Sequence, residues 1–173
     1  PIGQMLNYLK NLPSGILLLG MSGGERANQL ADSAWLELQM IDSLSDTIID
    51  KLVSLNETLL RFTGELRAIK DDNFYPNHSN INVGVVRTRP DGIRFILTCR
   101  FVAEVTRKQN LKWLNDFEKE CQEKGVEFQL LENREPYVKK ESSEYYEKAL
   151  EQLGSMDLPI DQVSTQWSND ANV

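Results

Sequence analysis

Two side chains in this sequence have the type and setting to hold a carboxylate or a carbonyl oxygen. Arg134 follows the alternating run Val126 to Leu131 and precedes Pro136, where a strand end can present a rigid fork. A guanidinium takes a carboxylate through two parallel hydrogen bonds. Asn28 follows Gly23-Gly24 and can offer an amide N–H to a carbonyl oxygen or an oxyanion. Read from the residues alone, each also fits a plain structural role, as a surface arginine and a turn asparagine.

Metal and nucleophile chemistry find little support. A catalytic zinc takes about three protein ligands, and a zinc pair takes more. The chain has one histidine, His78, in the polar stretch Lys70 to Asn80, with no HxH, HxD or HExxH spacing. It is expected to be an exposed loop residue. The carboxylates fall on helix faces or in turns, where solvation explains them. No GxSxG elbow surrounds a serine. Met21-Ser22-Gly23-Gly24 lacks the spacing of a phosphate loop, so its glycines are expected to free a tight connection. Cys99 and Cys121 form no CxxC pattern. One falls in an alternating strand and the other on the apolar face of a helix, which reads as buried free thiols. That suits a reducing, cytoplasmic setting.

The bulk properties narrow the partners. A net charge of −7, spread rather than blocked, disfavours nucleic acid, whose binding rests on a basic surface. The longest apolar run, Ile16-Leu17-Leu18-Leu19, falls well short of the roughly 18 residues of a membrane span, so no membrane partner is expected. Pro1-Ile2-Gly3-Gln4-Met5 lacks the basic start and cleavage site of a signal peptide and fits a fragment of a longer chain. Without a secretion signal, the sequons at Asn56 and Asn77 read as chance matches.

The elements that would position these residues follow from periodicity. Met5, Leu6 and Leu9 predict a short amphipathic helix, stopped at Leu12-Pro13-Ser14-Gly15. Ile16 to Gly20 reads as a buried strand. After a glycine-bearing connection, Ala34, Leu36, Leu38 and Met40 alternate as a second strand. Ile48, Leu52, Leu55, Leu59, Phe62, Leu66 and Ile69 mark a long helix over about 46–70, with Ser45 as its cap. A hairpin turns at Pro90-Asp91-Gly92, and Ile93, Phe95, Leu97, Cys99 and Phe101 line one face of its return strand. Thr106 caps a helix ended by Gly125, Val126 to Leu130 forms another strand, and Ser142 or Ser143 opens a last helix ended by Gly154. Striped helices and alternating strands imply an α+β domain. It is a two-layer sandwich, an antiparallel sheet with helices on one face, in a ferredoxin-like arrangement. The domain is expected over 1–154, with a polar tail over 155–173.

Several segments together resemble a known family. Asn82-Val83-Gly84-Val85-Val86 is similar to an "NVG" strand, and Gly23-Gly24-Glu25-Arg26-Ala27-Asn28 to a "GGxxxN" segment that leads into an alternating strand. Arg134-Glu135-Pro136 is similar to an "RxP" after the last strand, and Ser168-Asn169-Asp170-Ala171-Asn172 to an "SDAN" return loop. Pro1-Ile2-Gly3 opens the first helix in the family's manner. Gln4-Met5-Leu6 departs from that opening, and Ala31 stands where the family has a proline. On these residues the chain resembles the lid, or dimerisation, domain of zinc metallopeptidases. They include glutamate carboxypeptidase, acetylornithine deacetylase, succinyl-diaminopimelate desuccinylase, aminoacylase and aminoacyl-histidine dipeptidase. The resemblance implies two zinc ions in a separate catalytic domain of the same polypeptide and none in this chain. It implies a peptide or N-acyl amino acid substrate, substrate-holding roles for Asn28 and Arg134, and pairing of lids into a homodimer. The competing reading from another class is a free-standing ferredoxin-like regulatory or protein-interaction module.

Overall fold

A computed structural model describes residues 1–41, 47–72, 74–102, 104–133, 144–156 and 164–165. The elements run α1 (Ile2–Leu9), β1 (Ile16–Gly23), β2 (Ala34–Met40), α2 (Thr47–Ala68), β3 (Phe74–Tyr75), β4 (Asn80–Arg89), β5 (Gly92–Arg100), α3 (Arg107–Glu123), α4 (Glu144–Ser155) and β6 (Ser164–Thr165). The expected cap Ser45 and the candidate openers Ser142 and Ser143 lie outside the described residues.

The fold is α+β. Four strands form an antiparallel sheet in the order β2-β1-β4-β5, and helices pack against it. Two hairpins lie side by side, joined at the middle by β1 and β4. Each hairpin is followed by a helix, so the chain repeats strand, strand, helix twice. The central ladder is short, with Ser22 opposite Arg87 and Gly23 opposite Val86. Side chains extend it: the Met21 N–H donates to Thr88 Oγ1 at 2.8 Å, and the Thr88 hydroxyl donates to Met21 O at 3.2 Å.

Helix stripes and strand alternation meet in one interior. Ile2, Met5, Leu6 and Leu9 of α1 bury against Leu18 and Met21 of β1, Leu52 of α2 and Val86 of β4. Leu55, Leu59 and Phe62 of α2 continue the core onto Phe117 and Cys121 of α3. Edge-to-face rings tie this region, Phe62 with Trp113 and Phe117, then Phe117 with Phe128, at centroid distances of 5.2–5.8 Å. Such pairs are worth about 0.5–1.5 kcal/mol beyond their buried area. Leu66, Phe74, Phe101, Val102 and Val105 close the far end.

Helix α3 begins and ends as its sequence dictates. Gln109 N–H donates to Thr106 Oγ1, while Thr106 N–H donates to Gln109 Oε1 at 2.9 Å, a reciprocal capping box. At the other end Gly125 has φ +67°, a left-handed conformation that suits glycine. Gly125 N–H donates to Gln122 O and Val126 N–H to Cys121 O, which satisfies two terminal carbonyls.

Four expectations are modified. Val126 and Phe128 do turn inward, yet 126–133 joins no ladder among the described residues. Alternation sets which side chains bury; a strand also needs a neighbouring backbone, which the pattern does not encode. Helix α4 runs through Gly154 to Ser155 instead of stopping there. Of its apolar residues, Ala149 and Leu153 are exposed and Leu150 is half-buried. The polar loop after α2 is more ordered than its composition suggests: Phe74 and Ser79 are buried, and Ser79 Oγ accepts from Val102 N–H at 3.0 Å. Finally, two residues of the expected tail, Ser164 and Thr165, pair in parallel with Phe74 and Tyr75.

Candidate functional site

The segment between β1 and β2 leaves the sheet at Gly24 and folds back over β4 and β5. Gly24 has φ +67°, and Gly24 N–H donates to Ser33 O at 3.4 Å, closing the base of the loop. At its far end Gln29 N–H donates to Arg26 O at 3.3 Å, so Ala27 and Asn28 are the central residues of a β-turn. Asn28 is exposed there.

Three side chains on the sheet hold this loop. Asn82 Nδ2 donates to Ala27 O at 3.0 Å and to Gln29 O at 2.9 Å, the carbonyls on either side of Asn28. Thr98 Oγ1 donates to Ala27 O at 2.9 Å from the position directly opposite Asn82. Arg87 Nη1 donates to Gly23 O at 2.8 Å, and Nη2 donates to Gly24 O. Thr98 alternates with Leu97 and Cys99, which face the helices. The loop therefore lies on the sheet face away from them.

Two glycines allow the approach. A Cβ on Gly84 would lie 2.2 Å from Ala27 O, and one on Gly24 would lie 1.8 Å from Gly84 O. Gly84 also falls at a bulge, where the β4–β5 register shifts between Val83 and Val85. The "NVG" and "GGxxxN" segments, far apart in sequence, thus meet as one unit. What this unit offers chemically is a side-chain amide on a turn whose flanking backbone is pinned. A carbonyl oxygen or oxyanion meeting it would find an exposed amide donor on a held backbone.

The sequence reading gave no role to Asn82, Arg87 or Thr98. A glycine inside a strand does signal a bulge or a close backbone approach, so Gly84 was the available clue. Arg134 lies outside the described residues, as does its placement relative to Asn28. Its neighbour Asn133 is described: Asn133 Oδ1 accepts from Asn110 Nδ2 at 3.1 Å, which fixes the chain against the first turn of α3.

His78 is half-buried rather than exposed. Its Nδ1 bonds Ser79 O at 2.9 Å, and His78 bridges to Lys70 in the backbone. Cys99 and Cys121 are free, with Cys121 buried and Cys99 half-buried. Burial pushes both thiols up to about 11. Neither is therefore primed as a thiolate nucleophile near neutral pH. Among the described residues no group of three or more His, Cys, Asp and Glu side chains gathers to hold a metal ion. Among them, too, no helix is long and apolar enough to cross a membrane.

Against protein-family models, curated proteins and solved structures, the chain finds no match.

Proposed function

We propose that this chain is the non-catalytic lid domain of a cytoplasmic two-zinc amide hydrolase, an exopeptidase, dipeptidase or deacylase. The observation that carries the reading is the clasp between the two motif segments. Asn82 of the "NVG" strand bonds the carbonyls on both sides of Asn28 of the "GGxxxN" loop. This clasp sets the backbone around Asn28 in one place on the sheet face, as a substrate-facing amide requires. In the proposed reaction a zinc pair, held by the catalytic domain and not by this chain, would supply the activated water. Asn28 donates to the substrate's carbonyl oxygen, and Arg134 receives its carboxylate. The substrate is a peptide or an N-acyl amino acid. The catalytic domain of the same polypeptide is the first partner and a second lid the next.

The experiment compares the parent protein with the isolated chain 1–173. Hydrolysis of dipeptides and N-acyl amino acids is expected from the zinc-loaded parent. The isolated chain is expected to fold, to take up no stoichiometric zinc in calorimetry and to hydrolyse neither substrate. Tight stoichiometric zinc in the isolated chain would overturn the assignment.

A further inference from the structure

One row of residues crosses all four strands of the sheet. Trp35 of β2 pairs with Ser22 of β1, Ser22 with Arg87 of β4, and Arg87 with Arg94 of β5. Residues directly opposed in a ladder share a face. Arg94 alternates with Ile93 and Phe95, which pack into the core, so the row lies on the face away from the helices. With strands about 4.8 Å apart, it spans roughly 14 Å.

Arg87 and Arg94 set two like charges opposite each other, which is unfavourable when nothing stands between them. Arg87 is fixed by the carbonyls of Gly23, Gly24 and Val86, which hold its guanidinium without cancelling its charge. Arg94 is exposed and forms no ion pair among the described residues. Glu25 beside the Gly24 carbonyl, Glu37 on β2 and Asp91 in the hairpin turn form no ion pair with either arginine among the described residues. In a chain of net charge −7, a cationic pair of a half-buried and an exposed arginine, on the face that the β1–β2 segment covers in part, is out of keeping with the rest of the surface.

We infer that Ser22, Arg87 and Arg94 form a binding row for a small oxyanion, a carboxylate or a phosphate. Arg94 supplies a free fork, Arg87 its remaining N–H donors, and Ser22 a hydroxyl. The bound anion relieves the repulsion between the two guanidinium groups. Trp35, 60% exposed, flanks the row and gives an apolar surface for the rest of the ligand. The row meets the base of the Asn28 loop at Arg87, while Arg94 lies about 14 Å along β5 from Thr98, which holds the turn itself. It does not depend on the peptidase reading.

The test titrates isotope-labelled chain with inorganic phosphate and, separately, with succinate, at ionic strength held constant with sodium chloride. Amide signals of Ser22 and Trp35 and the guanidinium signals of Arg87 and Arg94 are followed by NMR. Saturable shifts confined to this row are expected, and the tighter anion identifies the source of the oxyanion. Arg94→Ala should weaken binding about tenfold or more, the loss expected on removing a charge-assisted partner, with an unchanged circular dichroism spectrum. Arg94→Lys, which keeps charge and loses the fork, should fall between. Shifts that do not saturate, that spread over the surface, or that persist unchanged in Arg94→Ala would overturn the inference.

Discussion

Asn82 does two things with one amide: it bonds the carbonyl before Asn28 and the carbonyl after it. Removing it leaves the turn without its main tie. Asn82→Ala should cost about 1–3 kcal/mol, two net hydrogen bonds, read as a lower urea midpoint. Amide exchange across 25–33 should accelerate in the same variant, because the loss is local before it is global. Gly84→Ala should act more bluntly. A methyl group 2.2 Å from Ala27 O forces the loop off the sheet, with an expected loss of about 1–3 kcal/mol in the same assay. A variant as stable as the parent would mean that the loop rests elsewhere. Asn28 was legible in the sequence because a glycine pair preceded it. Asn82, Thr98 and Arg87 were not, because their partners are backbone carbonyls about 55 to 70 positions away in sequence, and no local pattern records a contact across that distance.

The elements were legible wherever one face is buried along their length. The stripe from Leu52 to Leu66 defines α2, and the alternation from Ile93 to Cys99 defines β5, because burial repeats with the period of each backbone. Where the pattern runs on without a structural partner, it misleads. Val126 and Phe128 alternate and bury but join no ladder among the described residues, and Gly154 does not end α4. Signals at the ends of elements were reliable when side chain and backbone agreed, as at Thr106. Thr106→Ala removes the hydroxyl half of its capping box and should cost about 1 kcal/mol in thermal or urea unfolding. Leu66, 1% exposed between Phe74, Phe101 and Val102, should be far more sensitive. Leu66→Ala is expected to lose about 2–5 kcal/mol, and a loss below 1 kcal/mol would mean that the site collapses to fill the cavity.

At the scale of the whole molecule, the two faces of the sheet are built differently. One face takes the apolar sides of the helices. The other carries the clasped turn and the arginine row. Composition and periodicity were enough for this layering, since an apolar stripe must bury against another. They could not give the strand order β2-β1-β4-β5, because the β1–β4 join is a long-range pairing of only two residue pairs. The two thiols give a global test of the core. Their folded values near 11 lie above the ordinary value of 9. Stability is therefore fully present below about pH 9 and should decline as the pH rises towards about 11, since only the unfolded chain readily forms thiolates. The urea midpoint measured across this range should fall, and Cys99→Ala should flatten the slope. A midpoint that rises with pH would contradict the burial of these groups.

The most direct test of the proposed function is the kinetics of Asn28→Ala in the parent enzyme, with bound zinc measured in the same preparation. The turn is exposed and its clasp uses only backbone atoms on either side of Asn28, so folding and metal content should be unchanged. A donor to the substrate carbonyl that strengthens in the transition state is worth about 10²–10³ in kcat. The account predicts a fall in kcat/KM of at least about tenfold with zinc retained. Values of kcat and KM both within about twofold of the parent would show that Asn28 does not touch the substrate and would contradict the lid reading, because the clasp would then hold a turn without a substrate role.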